Sequence, residues 1–256
     1  MESILKQTVS VNEIIVIDDA SIETCPKNIT DISSKIKVIR NTENRGRGYC
    51  RNLGVQNSGG KYIMMVDATN YVEERFIEKS LRHFNDKSVI AVSGTLRSTK
   101  CNSTLSRWRA RHLFKEQSIG SKKVRSHMLI TYGTLFSRDA LKTAGGFNPN
   151  LRYKEDEDVG NRLKKNNLHV IGDPNISIFP SKTNSLYELL ERYCRWNMDI
   201  YEKPTFLGYL LNIKASVKPM MQIDLKEGDV KSLFISILVP HFQLFFSVKT
   251  FLNNKR

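Results

Sequence analysis

Acidic residues are scarce in this sequence: 26 Asp and Glu stand against 40 Lys and Arg over 256 residues, a formal charge of +14. Such an imbalance implies an anionic partner, with nucleic acid, a nucleotide or phosphorylated substrate, and an acidic membrane face as the open choices. Cysteine is sparse too. Cys25, Cys50, Cys101 and Cys194 are scattered, with no C-x-x-C pair and no histidine cluster beside them. That pattern argues against a zinc site and a disulfide framework, and makes a reducing, cytosolic setting the default. No basic leader with an apolar core and a small-residue cleavage site opens the chain. Internal repeats and low-complexity tracts are absent as well. The hydrophobic content of 40% and charged content of 26% are those of an ordinary globular protein. The length suits one large α/β domain, or a domain plus a tail.

What is present is organised around residues 61–70, KYIMMVDATN. A short apolar run closed by polar residues reads as a strand of a sheet covered on both faces. In open α/β sheets, ligands bind beyond the carboxyl ends of such strands. Asp67 therefore stands either where a phosphate-bound metal or polar substrate sits, or merely as a cap for the next helix.

Residues 1–8 read as the end of a helix, and 13–17 (EIIVI) as a strand ending in Asp18 and Asp19. A shorter strand follows at 35–39. Gly46 and Gly48 then loosen a loop before a helix that Gly59 and Gly60 end. After the 61–66 strand come a helix over 73–84 and a strand over 89–92. The alternation predicts a mainly parallel sheet with helices on both faces. On such a sheet Asp18, Asp19 and Asp67 share one rim. Like charges there cost energy unless cations or donors offset them, which points to a nucleotide or metal site.

Residues 97–125 hold nine Lys or Arg and one acid, Glu116, with Trp108 and Phe114 interleaved. Nucleic acid, a phosphate-bearing acceptor, an anionic bilayer and a plain solvated helix face all fit this composition. A strand pattern over 128–136 and a helix over 137–144 lead to the break at Gly145-Gly146-Phe147. Glu155, Asp156, Glu157 and Asp158 then enter a helix whose apolar side includes Val159 and Leu163. A helix dipole favours acids in the first turn, yet four in a row repel one another, and that excess is a site signal. Two short strands (169–171 and 176–179) and an amphipathic helix over 185–201 follow.

In this order the pieces resemble the family 2 glycosyltransferases. The fragments are SILKQT with EIIVIDDAS, NRGRGYCRNLGVQNSGGKYIMMVDA, AGGFNP, EDEDVGNRL, and RYCRW at 192–196. The resemblance implies a single GT-A nucleotide-diphospho-sugar transferase fold, α/β with three layers and a mainly parallel central sheet, plus a C-terminal helical tail. It implies an inverting transfer of sugar from a nucleotide-diphospho-sugar to a hydroxyl of a glycan or lipid-linked acceptor, in surface polysaccharide or glycolipid synthesis. Asp18 or Asp19 would contact base and ribose, and Arg51 would lie near the diphosphate. Asp67 would help hold Mg²⁺ or Mn²⁺ on that diphosphate. Asp156 would be the general base, with Glu155 and Asp158 as neighbours. Arg195 and Trp196 would close over diphosphate and acceptor.

The sequence departs from the family pattern in three places. Met1 falls inside what is the first helix in relatives, so their first strand has no counterpart here. The D-x-D is replaced by Asp67-Ala68-Thr69, followed by Asn70. The late strand ends Ile178-Phe179-Pro180, where many relatives carry a histidine.

The expected division is a transferase core over 1–180 and helices over 181–256. Within the latter, 232–248 is 17 mostly apolar residues interrupted by Pro240, His241 and Gln243. That is short of the roughly 20 residues of a membrane span. With Lys231 and the basic stretch 249–256 as flanks, it fits an interfacial or re-entrant anchor on an anionic leaflet. The resulting expectation is a peripheral enzyme on the cytoplasmic, inner face of the cell membrane that does not bind nucleic acid. Rival readings are a non-catalytic member that binds nucleotide or glycan, and a nucleic-acid-binding protein with steeply salt-dependent affinity.

Overall fold

A computed structural model describes the chain except residues 24, 99–102, 116–123, 127–128, 152–153, 182–183, 199–203 and 254–256. It divides into two compact units, residues 1–96 with 120–181, and residues 97–119 with 182–256.

In chain order, a short helix α1 (Glu2–Leu5) precedes β1 (Ile14–Asp18), β2 (Ile36–Arg40) and α2 (Arg47–Asn57). Then come β3 (Tyr62–Met65), β4 (Asn70–Val72), α3 (Phe76–Leu81) and β5 (Val89–Leu96). Helix α4 (Thr104–Trp108), β6 (Val124–Ser126), β7 (Thr134–Ser137) and α5 (Arg138–Thr143) follow. The remainder is α6 (Glu155–Lys165), β8 (His169–Pro180), α7 (Leu186–Asn197), α8 (Phe206–Asn212), α9 (Lys218–Lys226) and α10 (Val230–Asn253).

The first unit is α/β, as expected, but its sheet is mixed rather than mainly parallel. Strands β1 and β2 pair in parallel from Ile14↔Ile36 to Asp18↔Arg40. The larger sheet runs β3-β7-β5-β8-β4, with β6 also on β8. Among the described residues only β5 and β8 run parallel within it. The reversal comes from β7, which inserts antiparallel between β3 and β5 and pairs Met64 with Leu135 and Val92 with Leu135. Consequently β3 has a paired neighbour on one side only among the described residues, and its side chains are half-buried rather than enclosed.

The two strands expected at 169–171 and 176–179 are one strand, β8. Register shifts against β5 absorb Pro174 without ending the ladder, and Asp173 accepts a bond from the Asn175 amide at 2.9 Å. The strand expected over 128–136 forms only from Thr134, with Met128 outside the described residues.

One side of the sheet is closed by α2, α5 and α6. Val55, Leu141, Val159 and Leu163 pack there on Ile90, Ala91, Phe136 and Val170. On the other side Phe76 of α3 is fully buried, and a Cβ at Gly94 would meet it at 3.0 Å. Three layers result.

The second unit is helical. Two arginines and a histidine of the 97–125 stretch turn into it: Arg107 binds Asp229, Arg111 binds both Asp224 and Asp229, and the His112 ring lies 2.8 Å from Asp224. Asp224 is fully buried. The basic composition of this stretch thus serves, in part, an internal ion-pair network. Helix α10 is long and apolar enough to cross a membrane by length and composition, with Pro240 inside it.

Candidate active site

The construction of the site starts at the end of β1. Asp18 accepts from the Ser21 amide at 2.9 Å and pairs with Arg40 across the β1–β2 register. Those partners, the Ser21 bonds first, hold its carboxyl down to about 2. Asp19 accepts from Asn41 Nδ2 at 2.7 Å and from the amides of Arg45 and Gly46, each at 2.8 Å. Burial pushes its pKa upward, but the backbone and Asn41 donors outweigh it and the net shift is down. Both carboxylates therefore anchor loops. Asp19 fixes the entry of α2, where Gly46 takes a φ of +87° that a side chain would resist.

Helix α2 then presents consecutive residues to two different targets. Arg51 forms a buried ion pair with Glu155 of α6, and its Nη2 lies 3.9 Å from Asp67 Oδ1. Arg47 Nε stands 3.4 Å from the same Glu155. Asn52 clasps the 145–147 turn: its Nδ2 donates to the Phe147 carbonyl at 2.7 Å and its Oδ1 accepts from the Phe147 amide at 2.8 Å. That turn requires glycine, since Gly145 and Gly146 have φ of +80° and +66°. The R-N-x-G and G-G-F fragments are thus two halves of one joint.

Glu155 is buried, and its Oε2 has no hydrogen-bond partner among the described residues. Asp156 follows it at the start of α6. Burial first, and the Glu155 charge second, raise the Asp156 pKa, with Arg51 opposing. Asp158 points elsewhere and binds Arg162 at 2.7 Å, while Arg162 also donates to the Gly146 carbonyl at 2.6 Å. It braces the turn.

Asp67 is half-exposed beyond β3, the position expected for a ligand-facing carboxylate. Asn70, three residues on, donates to the Tyr132 carbonyl at 3.1 Å. Burial, then the charges of Asp156 and Asp67, raise the Tyr132 phenol above its ordinary value. Asp67, Arg51, Glu155, Asp156 and Tyr132 form one electrostatic neighbourhood. Tyr132 and Arg47 carried no sequence signal, because neither belongs to a charge run or a strand end. Arg195 and Trp196 lie on α7 of the second unit, where the Trp196 ring is 6.3 Å from that of Phe114.

No group of three or more His, Cys, Asp or Glu side chains that could hold a metal exists among the described residues. A divalent ion here would draw on Asp67 and on oxygens of a bound diphosphate. One carboxylate with substrate phosphates is a sufficient set for Mg²⁺-type ions.

The first unit is thus an α/β fold with Asp67 beyond the end of β3 and Asp156 in its electrostatic neighbourhood. Residues 1–145, more than half of the chain, match Glycosyl transferase family 2, and the chain belongs to that family. It is 30% identical over 95 residues to EpsH of Bacillus subtilis, named as a glycosyltransferase, covering 36% of this chain and 27% of that protein. To the hyaluronan synthase of Streptococcus pyogenes it is 29% identical over 104 residues, covering 38% and 25%. These matches span about a quarter of the length of the relatives. Among solved structures, the mannosyltransferase PcManGT of Pyrobaculum calidifontis, in complex with GDP-Man and Mn²⁺, superposes with a TM-score of 0.58. That match has 13% identity and covers 99% of this chain and 69% of that one. The fold is GT-A.

Proposed function

We propose that the chain moves a sugar, with inversion, from a nucleotide-diphospho-sugar to a hydroxyl of a glycan or lipid-linked acceptor. The observation that carries this reading is Asp156, a carboxylate with a raised pKa held beside the Arg51–Glu155 pair and the Asp67 strand end. A carboxylate raised in this way is a better base near neutral pH. Asp156 takes the proton of the acceptor hydroxyl as its oxygen bonds to the anomeric carbon. The bond from that carbon to the phosphate oxygen breaks, and its electron pair leaves with the nucleoside diphosphate. A divalent ion on Asp67, Mg²⁺ or Mn²⁺, would supply positive charge to that leaving group when bound. Arg47 and Arg51 hold Glu155 in place beside the base. Tyr132 lies within the electrostatic reach of both Asp156 and Asp67.

Asp18 and Asp19 act in this reading by shaping the nucleotide end of the site, and Arg195 and Trp196 act on diphosphate and acceptor. The name hyaluronan synthase supports a glycan as product and the apolar α10 supports a membrane association, which this reading takes as surface-glycan synthesis by a peripheral enzyme on the inner face of the cell membrane. Nucleic acid is not a partner in this account. The test is incubation with a panel of nucleotide sugars and Mn²⁺, with release of nucleoside diphosphate and the anomeric configuration of the product as readouts. Turnover with an inverted anomer is the expected result. Nucleotide binding without turnover would establish the non-catalytic reading instead.

A further inference from the structure

Helix α10 is apolar on the face it exposes as well as along much of the face it buries. Its buried face mixes Ser232, Ser236, Gln243 and Ser247 with Ile235, Val239 and Phe246, all at 7% exposure or less. Its outer face is built from Phe234, Ile237, Leu238, Phe245, Val248 and Leu252, all exposed. These recur at helical intervals, so they form one stripe running the length of the helix. In a helix meant for water that outer face would be polar.

The stripe widens sideways. Tyr209 Oη lies 2.9 Å from Nδ1 of His241, an exposed residue on the outer side of α10, and so ties α8 to it. Helix α8 exposes Phe206, Leu207, Leu210 and Leu211. A contiguous apolar patch of this kind marks a binding surface.

Charge selects the partner. Exposed lysines surround the patch: Lys231 and Lys249 near the two ends of α10, and Lys214, Lys218 and Lys226 on the preceding segment. Of the acids nearby, Asp224 and Asp229 are consumed by arginines, which leaves the half-buried Glu191, whose charge acts on Lys249, and the exposed Glu227. Apolar residues ringed by lysine match an anionic bilayer surface better than a protein groove.

The inner face fixes the orientation. Trp108 Nε1 donates to Ser236 Oγ at 2.9 Å, and that hydroxyl donates to Asp224 at 2.6 Å. A helix bonded to its own unit along one side has only its other side to offer.

We propose that α8 and the outer face of α10 form a monolayer-inserting surface for anionic lipid, with α10 lying in the membrane plane rather than crossing it. This rests on the peripheral placement above and names its chemistry.

The full chain should sediment with vesicles of equal parts phosphatidylglycerol and phosphatidylcholine, and the binding should weaken with salt. The substitutions Phe234→Ser, Ile237→Ser and Phe245→Ser together, all at exposed positions, should lower that binding about a hundredfold. Lys231→Ala with Lys249→Ala should lower it about tenfold on the anionic vesicles alone. Tryptophans introduced singly by Phe234→Trp and Phe245→Trp should be quenched equally by shallow brominated lipid. Deep quenching at Phe245→Trp, midway along the helix, would show a span and overturn the in-plane geometry. An unbound parent chain, undiminished binding by the triple serine variant, or a soluble dimer that hides the stripe would each overturn the proposal. Nucleoside diphosphate binding in the same samples is a separate readout. Vesicle binding without it sinks the transferase reading and keeps this one, while the converse sinks this one.

Discussion

Arg51 and Glu155, 104 positions apart, form a buried ion pair that fastens α2 to the start of α6. Removing one partner strands the other charge. Arg51→Ala should cost about 3–5 kcal/mol of stability, whereas Arg51→Met with Glu155→Met should recover most of that loss. Urea unfolding of the two variants measures the difference. Equal destabilisation by both would show that the pair's charge is not what holds the joint.

Asn52 makes the second fastening. Asn52→Ala leaves the Phe147 amide and carbonyl without their partners and should cost about 2–4 kcal/mol. Gly146→Ala attacks the same joint from the other side, because its Cβ would stand 2.8 Å from Asn52 Oδ1 at a φ of +66°. Thermal melts of each variant should fall together, and the double variant should fall by less than the sum.

Asp156 carries a raised pKa, so its ionised form is disfavoured in the folded state. For an acid shifted upward the sign is the reverse of the usual carboxylate. Its contribution favours folding below the raised pKa and opposes folding as pH rises through it. Asp156→Asn should therefore melt higher than the parent at neutral pH, with the gap closing on acidification. A lower melting temperature at neutral pH would show that the carboxylate is stabilising, contrary to this account.

In the second unit, Asp224 receives Arg111, His112 and Ser236 while fully buried. Asp224→Ala should cost about 3–5 kcal/mol, by removing the buried carboxylate that Arg111, His112 and Ser236 share. Loss of helical circular dichroism at lower urea concentration is the readout. An unchanged midpoint would mean the network is incidental to the helical packing.

Much of this organisation is legible in the residues themselves. Four β-branched residues before Asp18 mark β1, and the glycine pairs and the acid run mark the turn and the start of α6. What the residues cannot convey is pairing. Asp18 and Asp19 stand at a strand end as a ligand-binding carboxylate would, yet only the β1–β2 register shows Arg40 opposite Asp18, and only the fold of the loop shows Asp19 filled by Arg45 and Gly46. Direction is equally hidden. The insertion of β7 between β3 and β5 depends on contacts about 70 and about 40 residues apart, of which local periodicity holds no trace. Composition also cannot say which way a side chain turns. Arg107 and Arg111 read as a surface for anions and instead face Asp224 and Asp229. Tyr132 had no pattern to betray it, since its place near Asp67 and Asp156 is a product of tertiary structure alone.

The most direct test of the central claim is single-turnover sugar transfer by the parent chain and by Asp156→Asn, with nucleoside diphosphate affinity measured alongside. Loss of the base should slow transfer by about 10²–10⁴-fold and leave that affinity unchanged. Transfer at the parental rate by Asp156→Asn would contradict it.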